Sequence, residues 1–166
     1  NKDSLLAAKP FSVAYFEMDS IQENTQLVKD AMAEMAKKEK IRLSIMIIED
    51  EQDILLLYKD YLLSRGHNVV ATSTTANEIL SDYDRIKPDV AIIDYKLPND
   101  KNGLDAALQI LNKHPSAAIL MVTAYETVTK EIIKIPFLSN KRVEVLIKPL
   151  RLAQLENSII NIANRK

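Results

Sequence analysis

The first predicted strand ends in a crowd of acidic residues. The segment LSIMIIEDEQD, residues 43–53, runs from apolar residues directly into Glu49, Asp50, Glu51 and Asp53. Carboxylates this close repel one another, so the arrangement is favourable only where positive charge meets it. Glu51 and Asp53 fit the first turn of a following helix, whose amino end favours negative charge. Glu49 and Asp50 are therefore the candidates for holding a cation.

Further polar residues stand at the ends of later apolar segments. Asp94 ends DVAIID, Thr123 ends AAILMVT, and Lys148 ends VEVLIK. In a parallel sheet the carboxyl ends of the strands lie along one edge, so these side chains would meet the acidic pair there. Carboxylate oxygens are ligands that Mg²⁺ prefers, whereas an ammonium and a hydroxyl suit a phosphoryl group. The set predicts a carboxylate nucleophile that attacks phosphorus.

The elements that would position these residues alternate along the chain from residue 43. Apolar segments rich in β-branched residues are predicted as strands covered on both faces, at residues 43–48, 68–73, 89–94, 117–123 and 143–148. Helical apolar stripes lie at residues 55–63, 76–83, 104–111 and 152–163. This alternation predicts an α/β fold with a parallel sheet and right-handed crossovers.

Residues 1–41 follow a different pattern and are predicted as a strand–helix appendage to a domain of residues 42–166. FSVAYFEMDS, residues 11–20, is predicted as one strand. NTQLVKDAMAEMAKKEK, residues 24–40, is predicted as a helix with Leu27, Val28, Ala31, Met32 and Met35 on one face. Packing on the domain, homodimer formation and a fusion of two segments stay open as roles for this appendage.

Composition excludes several classes of function. A net charge of −1 gives no electrostatic basis for binding nucleic acid or a membrane surface. The absence of cysteine excludes disulfides and thiolate metal sites. No apolar run approaches the roughly 20 residues that span a bilayer. His67 and His114 stand beside turn residues and are predicted at the surface.

Over about residues 42–165 the chain resembles the response-regulator receiver domain of two-component signalling. Four motifs carry the resemblance: Glu49-Asp50, Asp94 in DVAIIDYKLPNDKNGLD, Thr123-Ala124 in MVTAY, and Lys148-Pro149. The resemblance implies a flavodoxin-like receiver fold, with a five-stranded parallel sheet in the order 2-1-3-4-5 and helices on both faces. It also implies a cis peptide bond before Pro149.

The resemblance further implies the role of each site residue. Asp94 would be the phosphoacceptor, Thr123 would bond a phosphoryl oxygen, and Lys148 would pair with that group or with Asp94. Asp50 would bind Mg²⁺ directly and Glu49 through a water molecule. Asp94 and the backbone carbonyl of Lys96 would complete the metal ligands.

The expected partners are a histidine kinase or phosphotransfer protein as phospho-His donor, and a downstream protein reached by direct contact. The expected location is the cytoplasm. No enzymatic activity is expected beyond autocatalytic phosphorylation and dephosphorylation of Asp94. Because the last helical stripe ends at the C-terminus, we expect a receiver without an attached effector.

Departures from the usual receiver pattern concern the loops and the output face. Gly103 follows Asp94 by nine residues, one more than expected, and Pro136 interrupts the fourth helical region. Val145 stands where many receivers have an aromatic residue that swings inward on phosphorylation. Tyr125, two residues after Thr123, is predicted to shield the phosphorylated aspartate from water and to slow its hydrolysis.

Two other functions remain as alternatives. One is a receiver-fold scaffold or oligomerisation module that is never phosphorylated. The other is an aspartate-nucleophile phosphohydrolase, but such enzymes usually carry a second acid two residues after the nucleophile, where this chain has Lys96. In addition, residues 9–39 resemble the start of Skp/OmpH-type periplasmic chaperones, which would imply a fusion of two segments.

Overall fold

The computed structural model describes residues 9–39, 41–99 and 101–165, and within the first helix it describes the side chains of residues 18–36. The chain divides into two units, Asn1–Lys40 and Ile41–Lys166. This division lies within one residue of the predicted boundary. The functional assignment of the two segments stays a prediction.

The first unit contains one long helix, α1, over Lys9–Glu39. The predicted strand at residues 11–20 is therefore wrong. No glycine or proline interrupts residues 11–39, so nothing in the backbone stops a helix once it has begun. Pro10 lies in the first turn, where a missing N–H costs no hydrogen bond.

The second unit is a five-stranded parallel sheet with the strand order β2-β1-β3-β4-β5. Its strands are β1 (Ser44–Ile48), β2 (Asn68–Ser73), β3 (Val90–Asp94), β4 (Ala118–Thr123) and β5 (Arg142–Ile147). Its helices are α2 (Gln52–Ser64), α3 (Ile79–Ile86), α4 (Gly103–Lys113), α5 (Thr127–Ile133) and α6 (Leu152–Asn164). The predicted fold class and strand order are confirmed.

Apolar layers cover both faces of the sheet. One contains alternate β1, β3 and β4 residues with α3 and α4, and the other contains the remaining alternate residues with α2 and α6. Every residue of β3 and β4 is buried, which explains why these strands have continuous apolar sequences. The edge strand β2 instead alternates exposed and half-buried residues.

Turn residues define several helix ends. Gly66, with φ +90°, follows the end of α2, and the Asn102 side chain accepts a hydrogen bond from Asp105 N at the start of α4. Pro136 begins a short 3₁₀ helix, Pro136–Leu138, after α5, as expected from its position. In the described ranges, none of the helices combines the length and the apolar character that crossing a membrane requires.

The prediction that His67 lies at the surface is wrong. His67 is 3% exposed, and its Nε2 lies 3.0 Å from Glu156 Oε2 on α6. His67 Nδ1 accepts a hydrogen bond of 3.2 Å from Leu43 N, so Nε2 carries the ring proton and donates it to Glu156. A turn beside glycine suggests exposure, but here the partner comes from a helix 89 residues later in the chain.

Candidate functional site at the carboxyl edge of the sheet

The parallel strands bring the predicted side chains to one edge. Glu49 and Asp50 follow β1, Asp94 and Thr123 are the last residues of β3 and β4, and Lys148 follows β5. Backbone hydrogen bonds continue the ladder beyond the strand ends. Glu49 N donates to Ser73 O at 3.0 Å, and Lys148 N donates to Thr123 O at 2.8 Å. These bonds fix the backbone from which the charged side chains project.

Three carboxylates converge at this edge. Glu49, Asp50 and Asp94 each have an oxygen within 4.8 Å of an oxygen of the other two. Glu49 and Asp94 are buried, at 1% and 6% exposure, while Asp50 is exposed. The arrangement gives a cation both buried oxygen ligands and an open side toward solvent, which suits an ion that keeps some of its waters.

Lys148 supplies the positive charge nearest to these acids. Its Nζ lies 3.0 Å from Glu49 Oε2 and 3.6 Å from Asp94 Oδ2. Burial opposes the ammonium charge, but the hydrogen bond from Lys148 to Glu49 and the charges of Asp94 and Glu49 outweigh it and raise the lysine pKa. Lys148 therefore stays protonated at neutral pH and offsets part of the negative charge.

The negative charge still exceeds the positive charge around Asp94. Burial and the neighbouring Glu49 raise the pKa of the Asp94 carboxyl to about 7, although Lys148 acts in the opposite direction. Ionised Asp94 is therefore costly in the protein without a bound cation. A divalent cation among these carboxylates would lower that cost, so the residues present fit such an ion.

Thr123 is oriented by the loop that follows it. Its side chain is buried, and its Oγ1 accepts a hydrogen bond of 3.0 Å from Tyr125 N. Because the backbone supplies the accepted bond, the hydroxyl proton is directed elsewhere. Tyr125 is 46% exposed and packs its ring edge against Tyr95, with 6.3 Å between the ring centroids. Tyr95 in turn donates a 3.1 Å hydrogen bond to Glu131 on α5.

Backbone hydrogen bonds join the two ends of the loop after Asp94. Lys96 pairs with Asn102 in an isolated antiparallel bridge, and Gly103 N donates a 2.6 Å hydrogen bond to Tyr95 O. The side chain of Lys96 is exposed. Its backbone carbonyl stays the predicted third protein ligand.

Gly103 contributes to the site in a way that sequence reasoning missed. A Cβ at this position would lie 2.9 Å from Ile93 Cγ2 and still closer to the Asp94 carbonyl oxygen. Only glycine allows α4 to begin against the backbone of the predicted phosphoacceptor. Its spacing from Asp94 indicates a loop one residue longer than expected, but no signal in the single sequence indicates this contact.

Two smaller predictions at this edge are confirmed. Glu51 is the N-cap residue of α2 and Asp53 lies in its first turn, so neither belongs to the three-carboxylate group. The Lys148–Pro149 peptide bond is cis. Tyr58 on α2 is an additional neighbour that sequence reasoning missed. Burial raises its pKa, and the charges of Lys148, Glu49 and Asp94 act on it.

Comparisons with known proteins agree with this geometry. Residues 45–160 match the family model described as the response regulator receiver domain. The chain is 27% identical over 114 residues to the chemotaxis protein CheY of Thermotoga maritima, covering 63% of this chain and 94% of CheY. It is 28% identical over 115 residues to the luminescence regulatory protein LuxO of Vibrio campbellii, covering 69% of this chain but only 24% of LuxO.

A solved structure extends the comparison to three dimensions. The response regulator receiver domain protein from Clostridium thermocellum aligns with a TM-score of 0.63 and 27% sequence identity. The alignment covers 74% of this chain and 94% of that one. The family match at residues 45–160 leaves out the N-terminal unit.

Proposed function

Because the chain belongs to the response regulator receiver domain family, we propose that it takes a phosphoryl group from a phospho-His donor onto Asp94. Receivers of this family interact with histidine kinases or phosphotransfer proteins, and such a protein would be the donor here. The observation that carries the proposal is a buried Asp94 carboxylate 3.6 Å from Lys148 Nζ, within a group of three acids.

Glu49, Asp50 and Asp94 are the side chains proposed to hold Mg²⁺, with the Lys96 carbonyl as a further ligand. Bound there, Mg²⁺ would neutralise charge on the phosphoryl oxygens and on the acids. The excess negative charge that raises the Asp94 pKa supports this assignment, since such an ion would relieve it. Asp50 is the exposed member of the three acids, so it would be the first to meet a hydrated ion.

In the transfer step an Asp94 oxygen attacks phosphorus in line with the donor nitrogen. The new O–P bond forms as the P–N bond breaks, and the donor imidazole keeps the electron pair of that bond. Lys148 and the Thr123 hydroxyl would each contact a phosphoryl oxygen and stabilise its charge. Lys148 would exchange its nearer partner Glu49, at 3.0 Å, for the phosphoryl group, and Glu49 would then be left to the cation held by the acids.

Output is proposed to run through protein contacts. Val145 lies in β5 and packs against the core layer that contains α3 and α4, so it offers no aromatic ring to move between two positions. Tyr95, Tyr125 and Glu131 instead connect the loop after Asp94 with the loop after Thr123 and with α5. This connection is the proposed route from the site toward α5.

The test is the intact mass of the full chain after incubation with a small phosphodonor and Mg²⁺. We expect a gain of one phosphoryl group in the wild type and in Asp53→Asn, whose carboxylate lies outside the three-acid group. Asp94→Asn should show no gain, and Asp50→Asn a strongly reduced one. If wild type and Asp94→Asn gain equally, Asp94 is not the acceptor, and if neither gains, the scaffold alternative is favoured.

A further inference from the structure

Helix α1 carries an apolar stripe that is exposed to solvent. Its large apolar side chains are between 56% and 66% exposed: Met18, Ile21, Leu27, Val28, Met32 and Met35. Helices in proteins owe most of their stability to the packing of such a face rather than to intrinsic propensity. We therefore expect this exposed stripe, on a helix of 31 residues, to pack against a partner.

The spacing of the stripe identifies the kind of partner. Residues 18, 21, 25, 28, 32 and 35 follow one another at intervals of three, four, three, four and three. This is the heptad repeat of a coiled coil, with positions 18, 25 and 32 as a and positions 21, 28 and 35 as d. Leu27 is the one large apolar residue of the set that falls outside the seam.

Thr25 is the polar member of the seam, and its hydrogen bonding makes it compatible with burial. The Thr25 hydroxyl donates a 2.7 Å hydrogen bond to Ile21 O within the same helix. The polar group is thereby satisfied without the partner. A shallow groove centred on this residue is lined by Ile21, Asn24, Thr25 and Val28. Four residues at positions d, g, a and d form the kind of hole that receives a knob from the facing helix.

The charges of α1 are placed as a self-associating helix requires. Among the seam-flanking positions between residues 18 and 36, only Lys29 is charged. All acids of that range lie at outer heptad positions: Asp19, Glu23, Asp30 and Glu34. Two copies can therefore meet along the stripe without opposing like charges. Gln26 and Asp30 form a hydrogen bond of 2.9 Å on the outer face, away from the seam.

The length of the seam suits a weak, concentration-dependent dimer. From Met18 to Met35 the seam is about 26 Å long, and a strip about 10 Å wide gives roughly 260 Å² on each of two helices. The total of about 500 Å² lies at the low end of protein interfaces, where association is weak and reversible. A second copy supplies a stripe of the same length and composition, as a self-complementary two-fold interface demands.

We propose that α1 pairs with α1 of a second copy of this chain in a two-stranded coiled coil, making the protein a homodimer. The inference rests on α1 alone and is independent of phosphorylation at Asp94. The failure of one proposal therefore leaves the other untouched.

Sedimentation equilibrium of the full chain between about 5 and 200 µM tests the dimer. We expect the mass to rise from that of the 18.8 kDa monomer to twice that value as concentration increases. Val28→Glu, which places a charge in the seam, should weaken association at least about tenfold. Leu27→Glu is the matched control, because it adds the same charge at a neighbouring exposed site outside the seam, and it should associate as the wild type does.

Far-ultraviolet circular dichroism on the same samples distinguishes a loss of association from a loss of folding. The helical signal of the second unit should persist in both variants, and the part contributed by α1 should fall with dilution in step with the mass. A wild type that stays monomeric throughout the range would overturn the proposal. So would an equal loss of association in Leu27→Glu and Val28→Glu.

Discussion

Two buried polar clusters of the second unit make a useful comparison. At the carboxyl edge of the sheet, Lys148 contacts Glu49 and Asp94, and acids outnumber bases. Between α2, β2 and α6, the Glu156 carboxylate instead receives hydrogen bonds from His67 and from Arg65 Nε, at 3.0 to 3.1 Å.

The two clusters differ in whether their charges are balanced within the fold. We call the cluster around Glu156 the supporting cluster and the one around Asp94 the candidate functional cluster. The second cluster gives each charged or polar group a partner within the fold and leaves nothing for a ligand to complete. The first keeps an acid whose pKa is raised to about 7 despite the nearby Lys148, so its charge stays costly until a further cation binds. An uncompensated charge at an open edge therefore distinguishes the candidate functional cluster better than burial does.

The largest expected effect comes from closing the approach of α4 to Asp94. Gly103→Ala forces its Cβ against the Asp94 carbonyl, so we expect a loss of about 3 kcal/mol of unfolding free energy and weak phosphorylation. Gly66→Ala is the matched control. Space around it is open, and only its φ of +90° is strained, so it should lose about 1 kcal/mol and keep phosphorylation. Denaturant unfolding and intact mass measure both effects, and equal losses would contradict the packing explanation.

The supporting cluster should respond to truncation by a loss of stability. Glu156→Ala leaves the buried His67 Nε2–H without its acceptor and should lower the unfolding free energy by about 2 kcal/mol. Glu156→Gln keeps an acceptor oxygen and should lose less. Denaturant unfolding at pH 7 measures the pair. A Gln variant as unstable as the Ala variant would mean that charge, rather than the hydrogen bond, matters there.

In the candidate functional cluster, removing a charge should instead raise the stability of the fold. Asp94→Asn removes a disfavoured charge, so without divalent cations it should raise the unfolding free energy at pH 7 by about 3 kcal/mol. Added Mg²⁺ should stabilise the wild type more than this variant. A destabilised Asp94→Asn would show that the Lys148 contact outweighs the repulsion and would remove the contrast between the clusters.

The pH dependence follows from the same raised pKa. The folded state holds the Asp94 proton up to about pH 7, whereas an unfolded aspartate releases it near its ordinary value of about 4. The contribution of Asp94 is therefore fully present below about pH 4 and is lost as pH rises toward 7. In metal-free buffer, the wild type should lose stability relative to Asp94→Asn over this interval. A constant difference between the two proteins would contradict the raised pKa.

The smallest expected effect concerns the lifetime of the phosphorylated protein. Tyr125→Ala should speed hydrolysis of the acyl phosphate several-fold, because it opens the water path beside Thr123. Tyr125→Phe keeps the ring and should retain the wild-type rate. Decay of the phosphorylated mass after removal of the donor measures this rate. An unchanged lifetime in Tyr125→Ala would rule out shielding by the ring.

Local sequence predicted the parts of the fold that depend on local pattern. Strand positions agree within one residue because buried parallel strands have continuous apolar segments between polar ends, as in VAIID before Tyr95. The strand order came from the resemblance to receivers, since apolar pattern alone does not specify which strands are neighbours. The helix over residues 11–20 was missed because its aromatic and β-branched residues have strand propensity, while chain continuity favoured the helix.

Contacts between distant segments were beyond sequence reasoning. Nothing near His67 indicates that Glu156 will reach it, and nothing near Gly103 indicates how closely it approaches Asp94. Lys148 was predicted to pair with the phosphoryl group or with Asp94, and the additional, nearer contact with Glu49 was not foreseen. These outcomes depend on how the helices pack across the sheet and on distances of a few tenths of an ångström.

The most direct test of the account is to locate the phosphoryl group on the chain. The full protein is incubated with a small phosphodonor and Mg²⁺ and treated with borohydride, whose hydride reduces an acyl phosphate to an alcohol and releases phosphate. The account predicts that residue 94 alone becomes homoserine, that the product requires Mg²⁺, and that peptide fragment masses assign it to residue 94 rather than to Asp89 within DVAIIDYK. Reduction at another residue, or none at residue 94 in a protein that gained phosphoryl mass, would contradict the account.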